Sequence, residues 1–178
     1  MTSKVLLLGM MGSGKTSVGT ALAARLGWPY VDNDVLLASS SGLTAPELLA
    51  ARGSQALRSA ESAVLTQLLG LPGPVVGGVP GGVVLEEHDR ARLRSAGCLV
   101  IWLRCSPAVL ARRVGTGDGR PRLGDDPAAA LTALAAVRDP LFAQVATYVV
   151  DVDSSPPAAV ARHIAELVTP EPVVGPPQ

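Results

Sequence analysis

The 178 residues show no excess of charge of either sign, because 15 lysines and arginines balance 15 aspartates and glutamates. Nothing in this balance draws the chain to nucleic acid or to membranes in general. No apolar stretch reaches membrane-spanning length and no signal peptide is recognisable, so we expect a cytoplasmic protein. What remains is a chain long enough to fold as one domain with a sizeable core.

Cysteine and histidine are scarce. The two cysteines, Cys98 and Cys105, flank one apolar run and are interpreted as ordinary core or strand-end thiols. A disulfide framework would need more cysteines, and a zinc site more ligands at motif spacing. The two histidines, His88 and His163, lie among charged and polar residues of expected helices, so we predict that both are on the surface.

Lysine is also rare, with two residues, Lys4 and Lys15, against thirteen arginines. Lys15 takes the lysine position of Gly9–Thr16, which reads Gly-Met-Met-Gly-Ser-Gly-Lys-Thr and matches G-x-x-x-x-G-K-[ST] in full. This is the signature of a loop that cradles nucleotide phosphates between a strand and a helix. The alternative is a plain glycine-rich turn before a helix. The residues predicted to bind nucleotide here are Gly12, Ser13, Gly14, Lys15, Thr16 and Ser17.

Apolar runs alternate with helical patterns along the chain, which predicts an α/β fold of the P-loop type in three layers, a parallel sheet with helices on both faces. The predicted strands are Lys4–Leu8, Trp28–Val31, Pro74–Gly77, Cys98–Leu103 and Tyr148–Val152. Thr44 and Glu47 predict a capping box at a helix start. The last helix is expected to begin at Ser155 or Pro156 and to end near Val168.

One segment interrupts this alternation, since residues 115–124 contain four glycines and two arginines. We predict a flexible lid over about 115–125 that closes on anionic phosphates, the alternative being a solvated loop. Residues 169–178 are rich in proline and valine and predict a loose C-terminal tail. The chain is therefore expected to be a single domain, 1–168, followed by that tail.

Two carboxylates follow the second predicted strand, at Asp32 and Asp34. The carboxyl end of a strand in an open α/β sheet faces the ligand crevice. One carboxylate can hold Mg²⁺ together with the Thr16 hydroxyl, and the other can orient or deprotonate an attacking hydroxyl. The alternative is a turn with a helix N-cap at Asp34.

Two further arginines are candidates for binding an anion. Arg58 and Glu61 are spaced for an i,i+3 ion pair, which is either an ordinary exposed pair or a guanidinium fixed toward a carboxylate. Arg138 lies near the predicted end of an alanine-rich helix, where it could also be a contact with the helix dipole. Because neither an Asn-Lys-x-Asp motif nor an apolar strand ending in Asp-Glu is present, the chain favours phosphoryl transfer to a small acceptor.

Taken together, these segments resemble the shikimate kinase family over nearly the whole chain up to about Val168. The matching segments occur in the order in which the family has them, and the distances between them along the chain are close to those of the family. The matching segments are Gly9–Gly19, Val31–Asp34, Leu57–Glu61, Gly81–Gly82, Arg120–Pro121 and Arg138–Phe142. The resemblance implies five strands in the order 2-3-1-4-5, as in nucleoside monophosphate kinases. It also implies a monomer that transfers the γ-phosphate of ATP to the 3-hydroxyl of shikimate.

The resemblance also implies roles for individual residues. The shikimate-binding positions correspond to Asp34, Arg58, Gly81, Gly82 and Arg138, with Asp34 as the base and the two arginines on the carboxylate. The positions that stabilise phosphate correspond to Lys15 and Arg120, and those that enclose adenine to Arg113 and Pro157. Thr16 and Asp32 match the Mg²⁺ shell. The implied cofactors are ATP and Mg²⁺.

The departures from the family cluster around the acceptor. Pro80 replaces the first of three consecutive glycines, which removes an N–H whose bond to a charged ligand would contribute about 1.5–3 kcal/mol. Leu49 and Leu57 stand where the family commonly has phenylalanine, and Ser54 where it has glutamate. Three functions therefore remain open: shikimate kinase, a paralogous kinase for a related hydroxylated or cyclic acid, and a nucleotide-binding protein without turnover.

Overall fold

The protein is represented by a computed structural model that describes residues 3–114 and 126–169. The predicted lid, with Arg120, lies outside the described residues, and so do residues 170–178 of the predicted tail. In the described part, no helix is long and apolar enough to cross a membrane.

Five parallel strands form one sheet in the order β2-β3-β1-β4-β5. Their bounds are β1 Lys4–Leu8, β2 Tyr30–Val31, β3 Val75–Gly78, β4 Leu99–Arg104 and β5 Tyr148–Asp151. The order implied by the resemblance is confirmed, and each predicted run overlaps one strand. β2 begins later than predicted, because the Trp28 N–H donates to Ala23 O at 2.9 Å and Pro29 has no N–H to offer a ladder.

Seven helices connect and flank these strands in the described part. They are α1 Lys15–Leu26, α2 Asn33–Ser41, α3 Ala45–Gly70, α4 Glu87–Ser95, α5 Pro107–Val114, α6 Pro127–Val145 and α7 Pro157–Val168, with a 3₁₀ turn at Val83–Leu85. The capping box predicted at the start of α3 is confirmed, since the Thr44 side chain accepts from Glu47 N–H and Glu47 accepts from Thr44 N–H at 2.8 Å. α7 begins at Pro157, one residue later than predicted, and ends at Val168 as predicted.

The central strand β1 shows that the sheet is covered on both faces. Val5, Leu6, Leu7 and Leu8 are each 0% exposed. Successive side chains of a strand point to opposite faces, so four fully buried residues in a row require packing above and below the sheet. The three-layer arrangement predicted from the alternation of strands and helices is therefore confirmed.

Two helices differ from their sequence pattern. α3 is interrupted at Gly53, whose φ of 79° and ψ of 177° are not helical. α6 continues through Pro140 to Val145, so the prediction that Arg138 lies at a helix end is wrong. The helix continues because Phe142, 0% exposed, packs on Trp102 with 5.7 Å between ring centroids. A dipole contact therefore does not explain Arg138.

Candidate active site

The carboxyl ends of the central strands open into a cavity of about 870 Å³. This is the edge at which parallel α/β sheets bind ligands. The predicted site residues that line it are Gly12, Ser13, Gly14, Lys15, Thr16, Ser17, Asp34, Arg58, Gly81, Gly82, Arg113, Arg138 and Pro157. The structure thus brings together the predicted residues it describes, with Asp32 directly behind Thr16.

The loop after β1 has the geometry of a phosphate cradle. Gly12 and Gly14 have φ of 78° and 94°. Gly14 is the N-cap of α1, so the backbone N–H groups of the first turn of α1, which have no partner within the helix, lie at the cavity. Glycine is favoured at position 12 both by its positive φ and by the lack of space, because an added Cβ would lie 2.9 Å from Val114 Cγ2. Ser13 Oγ is buried, lies against Gly9, and has no hydrogen-bond partner among the described residues.

Lys15 is held at the floor of this loop. Its Nζ donates to Gly9 O at 2.9 Å and to Met10 O at 3.2 Å. Burial lowers the pKa of Lys15, while the charges of Asp34 and Asp32 oppose that shift. An ammonium group placed between phosphate loop and carboxylates can neutralise charge on a transferring phosphate.

Asp32 is the centre of a hydrogen-bond network at the end of β2. Its Oδ2 accepts from Thr16 Oγ1 at 2.8 Å and from the Tyr30 hydroxyl at 3.3 Å, and its Oδ1 accepts from Asp34 N–H at 2.8 Å. Asp32 is thus the N-cap of α2, and the alternative that placed the cap at Asp34 is wrong. The contribution of Tyr30 escaped sequence reasoning, although the two-residue period of a strand places it on the same side as Asp32.

Thr16 and Asp32 suit a magnesium ion that arrives with a nucleotide. Among residues 3–114 and 126–169 no group of three or more His, Cys, Asp or Glu side chains could hold a metal. Mg²⁺ is usually bound by one or two protein oxygen ligands together with phosphates and waters. A hydroxyl and a carboxylate 2.8 Å apart beside the phosphate loop meet that requirement.

Asp34 lies in the first turn of α2 and lines the cavity. Burial raises the pKa of its carboxyl, the charge of Asp32 raises it further, and the Lys15 ammonium opposes both. The Asn33 amide donates to Asp34 Oδ1 at 2.7 Å. A carboxylate with a raised pKa is a better proton acceptor, provided that its neighbours keep it ionised.

Arg58 and Glu61 form an enclosed ion pair at the cavity wall. Arg58 Nη1 lies 2.5 Å from Glu61 Oε2, and their side chains are 23% and 11% exposed, so the alternative of an ordinary exposed pair is wrong. Burial raises the pKa of Glu61, and the charges of Arg58 and Arg138 counteract that rise. The Gly82 N–H also donates to Glu61. A Cβ on Gly82 would overlap Arg58 Nη1 and Glu61 Oε2, so a larger residue here would force this ion pair to move.

Arg138 is the second guanidinium group at the cavity. Burial and the nearby Arg58 charge lower the pKa of Arg138, while Glu61 opposes the shift. Arg138 Nε is buried and has no hydrogen-bond partner within the described part of the chain. Arg58 and Arg138 are two cations beside a single carboxylate, Glu61. This side of the cavity therefore has positive charge in excess and can bind an anionic ligand.

Pro80, Leu49 and Leu57 line the same cavity. Pro80 has no N–H to offer, and its carbonyl accepts from Val83 N–H at 3.3 Å as the chain enters the 3₁₀ turn. Leu49 is 39% exposed and Leu57 is 9% exposed. Three of the four departures from the family pattern therefore line the cavity, whereas Ser54 is exposed and is not part of its lining.

Arg113 and Pro157, the pair predicted to enclose adenine, also line the cavity. Arg113 Nη2 donates to Val152 O at 2.6 Å, which fixes the plane of the guanidinium group. Cys105 lies close by with Sγ 3.5 Å from Arg113 Nη1, and burial raises the pKa of this thiol to about 11. Cys105 is therefore an inert core thiol, as predicted.

The histidines take no part in this cavity. The side chains of His88 and His163 are 62% and 59% exposed, which confirms the prediction that both are on the surface. His88 Nε2 lies 3.2 Å from Asp89 Oδ1, and Asp89 is 0% exposed. Sequence reasoning did not identify this buried aspartate, because a charged residue in a polar helix carries no signal of burial.

Comparison with known proteins gives a consistent result. A family model described as shikimate kinase matches residues 11–169. The shikimate kinase of Neisseria gonorrhoeae is 38% identical over 149 residues, covering 83% of this chain and 86% of that protein. That of Halorhodospira halophila is 36% identical over 171 residues, covering 96% of each.

Among solved structures, the shikimate kinase from Acinetobacter baumannii in complex with shikimate superposes with a TM-score of 0.88 at 28% identity, covering 94% of this chain and 93% of that one. The fold, the order of the motifs and the family model agree over almost the full chain. The chain belongs to the shikimate kinase family.

Proposed function

We propose that this protein transfers the γ-phosphate of ATP to the 3-hydroxyl of shikimate, as a cytoplasmic monomer. The observation that carries the proposal is the pairing, in one cavity, of a complete phosphate loop with two guanidinium groups and a half-buried carboxylate. Shikimate is a carboxylated triol, so a site for it requires cations for its carboxylate and an acceptor for its hydroxyls. The cavity supplies both beside the phosphate loop.

At the donor end, the loop N–H groups and Lys15 would cradle the triphosphate, with Arg113 and Pro157 around the adenine. Thr16 and Asp32 would hold Mg²⁺, which neutralises charge on the phosphate oxygens. Arg120, in the predicted lid, is proposed to add a further positive charge when the nucleotide is bound. The roles of these residues rest on family membership together with the geometry of the described ones.

At the acceptor end, Arg58 and Arg138 are proposed to grip the carboxylate of the substrate. Arg138 Nε has no partner within the described residues, and a substrate carboxylate would supply one. Glu61 holds Arg58 in place by a 2.5 Å contact, and Gly82 leaves room for the Arg58 guanidinium group. Gly81 instead lets the backbone approach Gly9, since an added Cβ would lie 3.0 Å from Gly9 O. This arrangement orients a small acid with its hydroxyls toward Asp34.

The reaction then requires little covalent chemistry from the protein. The acceptor oxygen attacks the γ-phosphorus, its proton passes to the Asp34 carboxylate, and the bond to the β–γ bridging oxygen breaks as ADP leaves. Lys15 neutralises the charge on the transferring group throughout. Asp34 suits its part because burial raises its pKa while Lys15 favours its ionised form.

A specific set of residues favours one alternative, a kinase for a related acid. Pro80 offers no N–H, and Leu49 and Leu57 are not aromatic, so the acceptor wall differs from the family pattern although the cations remain. A larger or differently hydroxylated carboxylic acid would use the same Arg58, Arg138 and Asp34. The two functions differ in acceptor and share one mechanism.

A coupled assay of ADP release with MgATP distinguishes the candidates. Shikimate, quinate and gluconate are supplied in turn, with the Asp34→Asn variant as the matched control for background hydrolysis. We expect release with shikimate in the native chain and loss of that release in the variant. Release with another acid alone would refute shikimate as the acceptor, and release with none would favour a nucleotide-binding protein without turnover.

A further inference from the structure

Asn33 is the only asparagine in the chain, and it stands between the two aspartates of the site. It is 6% exposed and lines the cavity beside Asp34. A buried amide is costly unless its donors and acceptors are bonded. The surroundings of Asn33 therefore indicate what this side chain does.

The amide of Asn33 is fixed on two sides. Its Nδ2 donates to Asp34 Oδ1 at 2.7 Å, a short distance for a hydrogen bond from an amide to a carboxylate. Its Oδ1 lies against Gly78 at the end of β3, where an added Cβ would come within 2.9 Å. Strand β3 thus makes room for this amide by having no side chain at Gly78.

The backbone adds a third constraint. Asn33 is the first residue of α2, directly after the N-cap Asp32, whose Oδ1 accepts from Asp34 N–H at 2.8 Å. This hydrogen bond from the Asp34 backbone to the Asp32 side chain restricts the conformation of the Asp32–Asp34 segment. Asp34 Oδ1 already accepts from the Asn33 amide, whereas Oδ2 has no donor among the described residues and is the freer oxygen for an acceptor hydroxyl.

We propose that Asn33 is a positioning residue that acts through Asp34, holding one carboxylate oxygen so that the other meets the acceptor hydroxyl. This inference rests on the proposed function of Asp34. It adds a residue whose side chain sets the orientation of that carboxylate, and it gives Gly78 a reason to be glycine. A carboxylate free to rotate would hold the hydroxyl less well, because orientation is lost as well as a bond.

A binding cycle tests this inference. The dissociation constant for shikimate is measured by calorimetry, with ADP and Mg²⁺ present, for the native chain, Asn33→Leu, Asp34→Ala and the double variant. We expect Asn33→Leu to weaken acceptor binding by about 10-fold, near the lower end of what loss of a charge-assisted hydrogen bond costs, and to leave ADP affinity unchanged. In the Asp34→Ala background the same change should cause no further loss, because its target is gone.

A second variant guards against misfolding. Asn33→Asp preserves shape and replaces the donor with a carboxylate facing Asp34, so acceptor binding should weaken more than in Asn33→Leu. Unchanged binding in both variants, or an equal loss in the Asp34→Ala background, would overturn the inference and leave Asn33 a packing residue. Failure of the native chain to bind shikimate would instead overturn the proposed function, and this result is visible without any Asn33 variant.

Discussion

Replacing Arg138 by methionine should separate stability from acceptor binding. Arg138 is a half-buried cation whose pKa is lowered by burial and by Arg58, and its Nε has no hydrogen-bond partner in the described part of the chain. Methionine keeps most of the aliphatic stem while removing the charge and the unbonded donor. The variant should therefore fold at least as well as the native chain and bind the acceptor poorly.

The magnitudes follow from these contacts. A buried donor without a partner costs about 1–3 kcal/mol, and the lost attraction to Glu61 together with the partial exposure of Arg138 reduces the gain to about 1 kcal/mol. For a domain of this size that corresponds to a rise in Tm of about 2–4 °C. The acceptor would lose two charge-assisted hydrogen bonds of about 1.5–3 kcal/mol each, so kcat/KM should fall by about 10²–10⁴-fold.

The assay pairs thermal unfolding with steady-state kinetics on the same preparation. Arg104→Met is the matched control, because Arg104 pairs with Asp151 at side-chain exposures of 51% and 66%, away from the cavity. In the control, Tm should change by no more than about 2 °C, and kcat/KM should stay the same. A fall in the Tm of Arg138→Met with kcat/KM unchanged would show that Arg138 is a structural cation, and the assignment of the acceptor site would be refuted.

Three further predictions concern the same wall. Pro80→Gly should lower the KM for shikimate if a missing N–H limits binding, and an unchanged or higher KM would show that the pocket is adapted to proline. Gly82→Ala should destabilise the fold by about 1–3 kcal/mol and raise the acceptor KM, because its Cβ would lie 1.8 Å from Arg58 Nη1. Gly70→Ala, with nothing within 4 Å of the added Cβ, is the control in thermal unfolding. Burial raises the pKa of Glu61, so the folded state binds its proton more tightly than the unfolded chain. The free energy of unfolding should then fall as pH rises from about 4.5 through the folded pKa, and Glu61→Gln should flatten that part of a denaturation series; an unchanged slope would contradict it.

The phosphate loop and the alternation of strands and helices were predictable because both are local. The loop needs glycines at fixed positions where φ is positive, and Gly12 and Gly14 have that conformation. Strand order is not local, since it depends on which strand pairs with which over long separations. Periodicity could not supply the order 2-3-1-4-5; it came from the resemblance.

Sequence reasoning could predict the Arg58–Glu61 pair from its helical spacing, but not the side-chain contacts that no spacing or motif indicates. The hydrogen bonds from Tyr30 to Asp32 and from Asn33 to Asp34 depend on rotamers that no motif encodes. Arg138 was expected near the end of a helix, yet α6 continues through Pro140 while Phe142 packs in the core. In each case tertiary packing decides over local preference.

The segment after β3 shows how glycines can arrange a site in which they supply no side chain. Gly78 admits the Asn33 amide and the Tyr30 hydroxyl, each of which would lie 2.9 Å from an added Cβ, while Gly82 admits the Arg58–Glu61 pair. Pro80 lies between them, where its carbonyl accepts from Val83 N–H. Proline is tolerated there because no side chain of the site requires that space, whereas a Cβ at Gly78 or Gly82 would displace a candidate catalytic or binding group. Specificity for the acceptor can therefore change at position 80 without disturbing the residues that hold Asp34 and Arg58. The effect of Pro80→Gly on the acceptor should appear in KM, while Tm should fall by about 2–4 °C, because glycine gives the unfolded chain more conformational freedom than proline.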